Sequence, residues 1–313
     1  MIKSAVITGA SGMLGQALIR CLVENDVSVL AIVRPNSKRN DALFSHEKVN
    51  ILECDLSDLI SASEHIKEDY DAFFHFGWSG TFGQSRNNMY GQNDNVKYTL
   101  DAVELAHKLN CKVFLGAGSQ AEYGRVENNT MLSGELPTYP ETGYGIAKLC
   151  AGQMSRVLCK EYGIRHVWTR ILSIYGPGDK EHTMVMSGIL SMLRGERPKY
   201  TKGEQQWDYL HCDDAAKAFY LAADKGKDGA VYCIGSGKIR LLKDYIKCIR
   251  DAVNPNMELR FGEVPYYDKQ VMYLCADISE LQKDTGFTPQ ISFEEGIKDT
   301  VEWCKGVYTY EKG

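Results

Sequence analysis

The chain has 313 residues, 44% hydrophobic and 25% charged, an ordinary globular composition with length enough for one large or two fused domains. With 36 Lys and Arg against 41 Asp and Glu the net charge is −5, no electrostatic footprint for nucleic acid or an anionic membrane, and no apolar run reaches the length of a membrane span. The ten cysteines are scattered without a C-x-x-C pair, and the start lacks a signal peptide's charged region and cleavage site; the expectation is a cytoplasmic protein with reduced core thiols and no metal or disulfide.

The first apolar run, Ala5–Thr8, reads as a strand and residues 13–24 as a helix. Between them, T-G-A-S-G-M-L-G places Gly9, Gly12 and Gly15 at a strand-to-helix junction. Such a junction turns backbone N–H groups and the positive helix end toward a pyrophosphate. The bland alternative is a tight turn with no ligand. A second strand, Val27–Val33, runs into Arg34-Pro35-Asn36-Ser37-Lys38-Arg39. An acid there would accept from a ribose 2′-OH, whereas Arg34 can grip a 2′-phosphate, so NADP is favoured and NAD remains possible. The alternative is a solvated basic turn. A third strand, Val49–Glu53, precedes Asp55, which is placed to reach an adenine edge; a helix is expected at 57–68.

Strand Ala72–Phe76 contains His75, read as a core histidine, and leads into Gly77-Trp78-Ser79-Gly80. That segment is either a cofactor-side wall or a plain surface loop. A helix at 93–109, strand Val113–Gly116, a helix at 142–161 and strand Ile164–Leu172 follow. In the second of these helices Tyr144 and Lys148 are four residues apart, hence on one face. An ammonium beside a phenol favours the phenolate and suits proton transfer to and from an alcohol or carbonyl oxygen. Alternating strand and helix predicts a parallel sheet covered on both faces. After about residue 175 the rhythm breaks into helical runs near 184–194, 213–224, 241–252 and 293–304, joined by long polar connections. We read residues 1–175 as a cofactor-binding domain and 176–313 as a smaller substrate-binding lobe, partly interleaved with it. The tail after Cys304, with Tyr308, Tyr310 and Lys312, reads as a frayed terminus.

Taken together these motifs resemble the extended short-chain dehydrogenase/reductase family in its NAD(P)-dependent epimerase/dehydratase, nucleotide-sugar-modifying branch. The likeness runs from the glycine turn through Cys54-Asp55-Leu56, Phe74-His75-Phe76-Gly77 and Asn95, then G-S-Q-A-E-Y-G at 118–124 and Y-G-I-A-K at 144–148. It ends with R-I-L-S-I-Y-G-P-G at 170–178 and W-D-Y-L-H-C-D-D at 207–214. The resemblance implies a Rossmann-type doubly wound sheet, nicotinamide chemistry on a nucleotide sugar, and a homodimer formed by the helices near 93–109 and 142–161. It makes Tyr144 the acid/base. Ser119 holds the reacting oxygen, and Lys148 holds the nicotinamide ribose while lowering the Tyr144 pKa. Asn95 braces the central helix. Gly9, Gly12, Met13, Leu14, Gly15, Arg34, Asp55, Leu56, Phe76 and Gly77 would line the cofactor; Ser119, Gln120, Ser173, Trp207 and Arg240 would face the substrate.

The chain also departs from the family pattern. Dehydratases of this branch carry an Asp-Glu pair where this chain has Gln120 and Ala121, and some epimerases carry a Cys at the second position. Glu122 is one residue further along and should point elsewhere. Two Arg positions that usually grip a diphosphate are Trp207 and Tyr267 here, leaving Arg197, Lys238 or Arg240 for that task. His182 is a candidate spare acid. The leading expectation is an NADP-dependent 4-keto-6-deoxy nucleotide-sugar reductase. Others are a nucleotide-sugar epimerase with tightly held cofactor, a reductase of a small carbonyl compound, and a non-catalytic NADP-binding sensor.

Overall fold

The computed structural model describes residues 1–268 and 270–308; Tyr310 and Lys312 lie outside them. The chain begins with β1 (Ser4–Thr8), α1 (Met13–Glu24), β2 (Ser28–Val33), β3 (Val49–Glu53), a short α2 (Leu59–Ala62), β4 (Ala72–His75), α3 (Met89–Lys108), β5 (Val113–Ser119), α4 (Gly143–Tyr162) and β6 (Arg165–Ile171). It continues through β7 (Ser173–Tyr175), α5 (Met184–Leu193), β8 (Gln206–Trp207), β9 (Tyr209–His211), α6 (Cys212–Lys225) and β10 (Ala230–Ile234). Last come β11 (Arg240–Leu241), α7 (Leu242–Val253), β12 (Tyr273–Leu274), α8 (Ser279–Thr285) and α9 (Phe293–Val307).

Seven parallel strands form the central sheet in the order β3-β2-β1-β4-β5-β6-β10. Alternate residues leave opposite faces of a strand. In β1, Ala5 and Ile7 pack with the α1 and α6 side, while Val6 packs with Phe73 and α3 on the other. Both faces are therefore dry, and the strands read as continuous apolar runs. The expected doubly wound α/β fold is what the chain adopts. A second body, with α5, α7 and α9 around Tyr175, Ile189, Tyr245, Ile249 and Phe293, stands on the later residues. It carries the small sheets β11-β8-β12 and β7-β9.

Several differences from the sequence expectations have physical causes. The helix expected at 57–68 is only one 3-10 turn and α2, because Ser61 and Ser63 donate to the carbonyls of Asp58 and Ile60 and compete with the helical ladder. Strand β5 runs three residues past Gly116, since Ala117, Gly118 and Ser119 stay in register with Thr169, Arg170 and Ile171 of β6. Strand β10, from the second half of the sequence, returns to pair with β6 after α6 has packed on α1. At the tail, α9 continues past Cys304 to Val307, and Tyr308 donates to Glu181.

Trp168 of β6 explains several glycines. A Cβ on Gly116 or Gly118 would come within 2.2 or 2.3 Å of its indole, and one on Gly152 of α4 within 2.7 Å. The indole fills a slot that only glycines leave open, and its Nε1 donates to Glu122 at 3.0 Å. Ala in place of Gly inside a helix ordinarily stabilises by about 1 kcal/mol. Gly152→Ala should instead destabilise by about 1–3 kcal/mol through overpacking against Trp168, measured as a lower urea midpoint.

Candidate active site

The site lies where strand order reverses, at the C-terminal ends of β1 and β4, the usual ligand position in an open parallel sheet. Gly9 has φ +69°, and a Cβ on it would stand 2.7 Å from the Phe76 carbonyl carbon and 2.8 Å from the Gly77 nitrogen. A Cβ on Gly15 would lie 2.4 Å from the Gly9 carbonyl oxygen. The Gly12 N–H donates to Gly9 O at 3.1 Å, and α1 starts at Met13 and Leu14 with no side chain capping it. Its first amides are thus open to an anion beside a turn that leaves room for close backbone approach, which fits a dinucleotide pyrophosphate.

Thr8 ties the two strand ends together: its Oγ1 hydrogen-bonds His75 Nδ1 at 2.8 Å and accepts from Gly77 N at 3.2 Å. Burial pushes the His75 pKa down to about 3, so this histidine is a neutral core group, as expected. Leu56 packs where a Cβ on Gly77 would stand, and Phe76 packs on Phe219. Gly9, Gly12, Met13, Leu14, Gly15, Leu56, Phe76 and Gly77 are therefore brought together. Asp55 Oδ1 accepts from Ser57 N and Oγ, capping a 3-10 turn, which takes up that oxygen. Arg34 is exposed at the end of β2, and its guanidinium has no partner among the described residues.

Ser119 ends β5, and its backbone N–H and side chain form a capping box with Glu122. Gln120 lies in the same turn. Tyr144 is in the first turn of α4, which Thr142 caps, and Lys148 follows one turn later. Burial raises the Tyr144 pKa; the Ser119 hydroxyl and the Arg86 guanidinium pull it back down, and Glu122 adds to the rise. Arg86 sits 4.5 Å over the Tyr144 ring. Lys148 is buried, donates to Ala117 O at 2.5 Å and lies 3.6 Å over the Trp78 ring, 5.9 Å from the Tyr144 ring. Burial pushes its pKa down to about 7. The Lys148 ammonium is turned to a carbonyl and an indole, and a second cation, Arg86, faces the phenol ring.

Asn95 does not start a helix. It lies six residues into α3, buried, with Oδ1 accepting from Ser79 N and Oγ and Nδ2 donating to Ser79 O and Gly91 O. It fastens the loop after β4, and Trp78 in that loop donates to Gln92 at 3.0 Å and meets Tyr144 edge-on. Glu122 does point elsewhere, accepting from Arg170 Nε at 2.8 Å and from Trp168 while fully buried.

The expected substrate groups are less convergent. Trp207 donates to Ser173 Oγ at 2.8 Å, so these two meet. Arg240 is taken up by Glu294 at 2.7 Å, and Arg197 by a two-point contact with Glu263. Of the three cations considered for a diphosphate, only Lys238 has no acid partner among the described residues. Tyr267 is exposed, and His182 packs at a tilt on Phe82 with ring centroids 3.5 Å apart. The segment carrying His182 reaches back over the site: Lys180 donates to Thr81 Oγ1 at 2.6 Å, and a Cβ on Gly178 would lie 3.7 Å from Met13 Cα. One cluster of metal-ligand type, His211, Cys212 and Asp213, is found among the described residues, but burial pushes the Cys212 thiol up and Asp213 is held by Arg20.

Arg86 and Gln92 were not singled out in the sequence. Arg86 belongs to a polar run, G-T-F-G-Q-S-R-N-N, with no periodicity or spacing to mark it.

The fold and the glycine turn define a dinucleotide-binding α/β protein. The model of the NAD-dependent epimerase/dehydratase family matches residues 5–235, and the chain belongs to that family. It is 24% identical over 314 residues to an uncharacterised protein of Methanocaldococcus jannaschii, with 96% of each chain covered. It is 26% identical over 328 residues to the trifunctional UDP-glucose 4,6-dehydratase/UDP-4-keto-6-deoxy-D-glucose 3,5-epimerase/UDP-4-keto-L-rhamnose-reductase of Arabidopsis thaliana, covering 96% of this chain but only 47% of the plant protein. Its fold is similar to that of a UDP-glucose 4-epimerase from Thermotoga maritima, with a TM-score of 0.86, 23% identity, and 97% and 99% of the two chains covered. Among the described residues, no helix is long and apolar enough to cross a membrane.

Lys148 gives a stability test independent of any substrate. Its folded-state pKa is about 7, below the usual lysine value. Between the two values the unfolded chain binds more protons, so stability rises with pH across that window. Lys148→Met removes this contribution. Wild type should gain stability relative to the variant as pH climbs from 7 to 10, read from paired urea midpoints; a constant difference would contradict it.

Proposed function

We propose that the protein is an NADP-dependent oxidoreductase that reduces the 4-keto group of a 4-keto-6-deoxy nucleotide sugar. The observation that carries this reading is the disposition of acid–base groups after β5. Ser119 and Tyr144 adjoin at the strand end, while the one nearby carboxylate, Glu122, is locked to Arg170 and Trp168. With Gln120 and Ala121 in the two positions after Ser119, no carboxylate beside it among the described residues is free to remove a second proton, as dehydration would require. The unpaired Arg34 at the end of β2 supports NADP over NAD.

The glycine turn and the first amides of α1 would hold a nicotinamide dinucleotide, which when bound would supply the hydride. Ser119 Oγ holds the substrate carbonyl oxygen, and the Tyr144 hydroxyl gives that oxygen its proton as the alcohol forms, leaving a phenolate that takes a proton back from solvent. Lys148 would hold the nicotinamide ribose, with Trp78 beside it. The diphosphate is held from the lobe that carries Trp207 and Ser173.

The similarity in fold to a 4-epimerase favours a second reading, in which the hydride is taken and returned and the cofactor is never released. Two incubations separate the readings: with NADPH and a dTDP-4-keto-6-deoxy sugar the reductase consumes NADPH absorbance stoichiometrically, whereas with a nucleotide sugar bearing a C4 hydroxyl and no added NADPH an epimerase interconverts the C4 epimers with no net change in cofactor absorbance. Tyr144→Phe should lower turnover by about 10²–10⁴-fold while barely changing cofactor affinity. A sensor without chemistry would show neither turnover nor this loss. Arg34→Gln should weaken NADPH binding and leave NADH binding unchanged.

The protein acts as a homodimer in this reading. Ile146, Cys150, Met154 and Val157 form an apolar stripe along α4, all of them exposed. Met154→Glu should convert a dimer to a monomer in sedimentation velocity; a wild-type monomer would end this part of the proposal.

A further inference from the structure

We propose that Arg86 is a positioning residue for proton transfer at Tyr144, the fixed positive charge that stabilises the phenolate left when Tyr144 gives up its proton. The inference rests on the reading of Tyr144 as the proton donor and adds to it a residue from another segment of the chain.

The geometry is specific. The Arg86 guanidinium lies 4.5 Å over the Tyr144 ring, and its side chain has neither a carboxylate nor a hydrogen-bond partner among the described residues. The partly exposed guanidinium, with no carboxylate taking it up, is free to interact with charge that develops on the phenol. The segment bearing it is anchored to the same helical turn as the phenol. Asn87 Oδ1 accepts from Gly143 N at 2.9 Å, and a Cβ on Gly143 would meet Met89 Sδ at 2.7 Å and Arg86 O at 3.1 Å. Arg86 and Tyr144 are thus held as one unit.

The other groups facing Tyr144 come from β5, from the turn after it and from α4 itself. Ser119, from the end of β5, adds a hydrogen bond but no charge. Glu122, from the turn after β5, opposes the phenolate and is largely offset by Arg170. Lys148, on α4 itself, is bonded to Ala117 O, lies over Trp78 and stands 5.9 Å from the Tyr144 ring, farther than Arg86. A guanidinium stays charged throughout.

Removing the positive charge must raise the pH at which Tyr144 ionises. In the oxidative direction the required form is the phenolate, so the acidic limb of the rate profile moves up. In the reductive direction the required form is the phenol, so the alkaline limb moves up as well. We expect Arg86→Gln to shift the Tyr144 limb upward by about one pH unit, with Arg86→Lys restoring much of it. The second measurement needs no substrate: in NADP-loaded protein, the phenolate absorbance of wild type minus Tyr144→Phe is compared with that of Arg86→Gln minus the double variant. Tyr144 titrating at higher pH without the Arg86 charge supports the inference, even if no 4-keto sugar is turned over and the substrate reading fails. An unchanged titration, or an Arg86→Lys variant no better than Arg86→Gln in either profile, overturns it while leaving the reductase reading intact.

Discussion

The backbone contact between the first glycine turn and the end of β4 governs the rest of the molecule. There is no room for a side-chain carbon at Gly9 because the Phe76–Gly77 peptide stands 2.7–2.9 Å from where it would be. That approach lets Thr8 reach both His75 and Gly77, which fixes the two strand ends relative to one another. Crossovers leave β1 on both sides, so the strand ends splay here, and the groove opens where the turn leaves backbone amides free. Asn95 then pins the next loop, Trp78 closes on Lys148, and the acid–base groups after β5 face the same opening.

Electrostatically, the site is a set of buried groups each displaced from its ordinary ionisation. Desolvation acts in opposite senses on an acid and a base: it raises Tyr144 and lowers Lys148 and His75. Burial alone would therefore keep all three neutral. What distinguishes Tyr144 is that it meets a hydroxyl and a permanent cation, whereas His75 meets only Thr8 and a lysine. The rise that burial imposes on Tyr144 is thus opposed by neighbours that favour its ionised form, whereas His75 is held neutral.

Local features were legible in the sequence. The glycine turn, α1 and the placement of Tyr144 and Lys148 on one helix depend on residues within one or two turns of each other, and their chemistry shows at close spacing. The parallel sheet followed from alternating apolar runs. Features made by distant segments were not legible. The bonds from Asn95 to Ser79, the seat of Arg86 on Tyr144 and the locking of Glu122 by Arg170 each join separate stretches with no pattern between them. Arg240 and Arg197 looked available for an anion because their acid partners, Glu294 and Glu263, are 54 and 66 residues away. The failed helix at 57–68 is a different case: its serines and aspartate were visible, but their competition with the backbone outweighed the apolar spacing.

Strand β10 has a consequence for how this chain can be divided. Its five residues close the seventh position of the sheet, yet they are separated from their partner β6 by β7, α5 and the first part of the lobe. A fragment ending after β6 would present Val167, Trp168 and Thr169 along an unprotected ladder, a template for intermolecular strand pairing. A ribosome delivering the chain from its N-terminus cannot finish the sheet until the residues of α6 and β10 have emerged. The last position of the sheet is therefore filled by a returning thread, late in the order of synthesis.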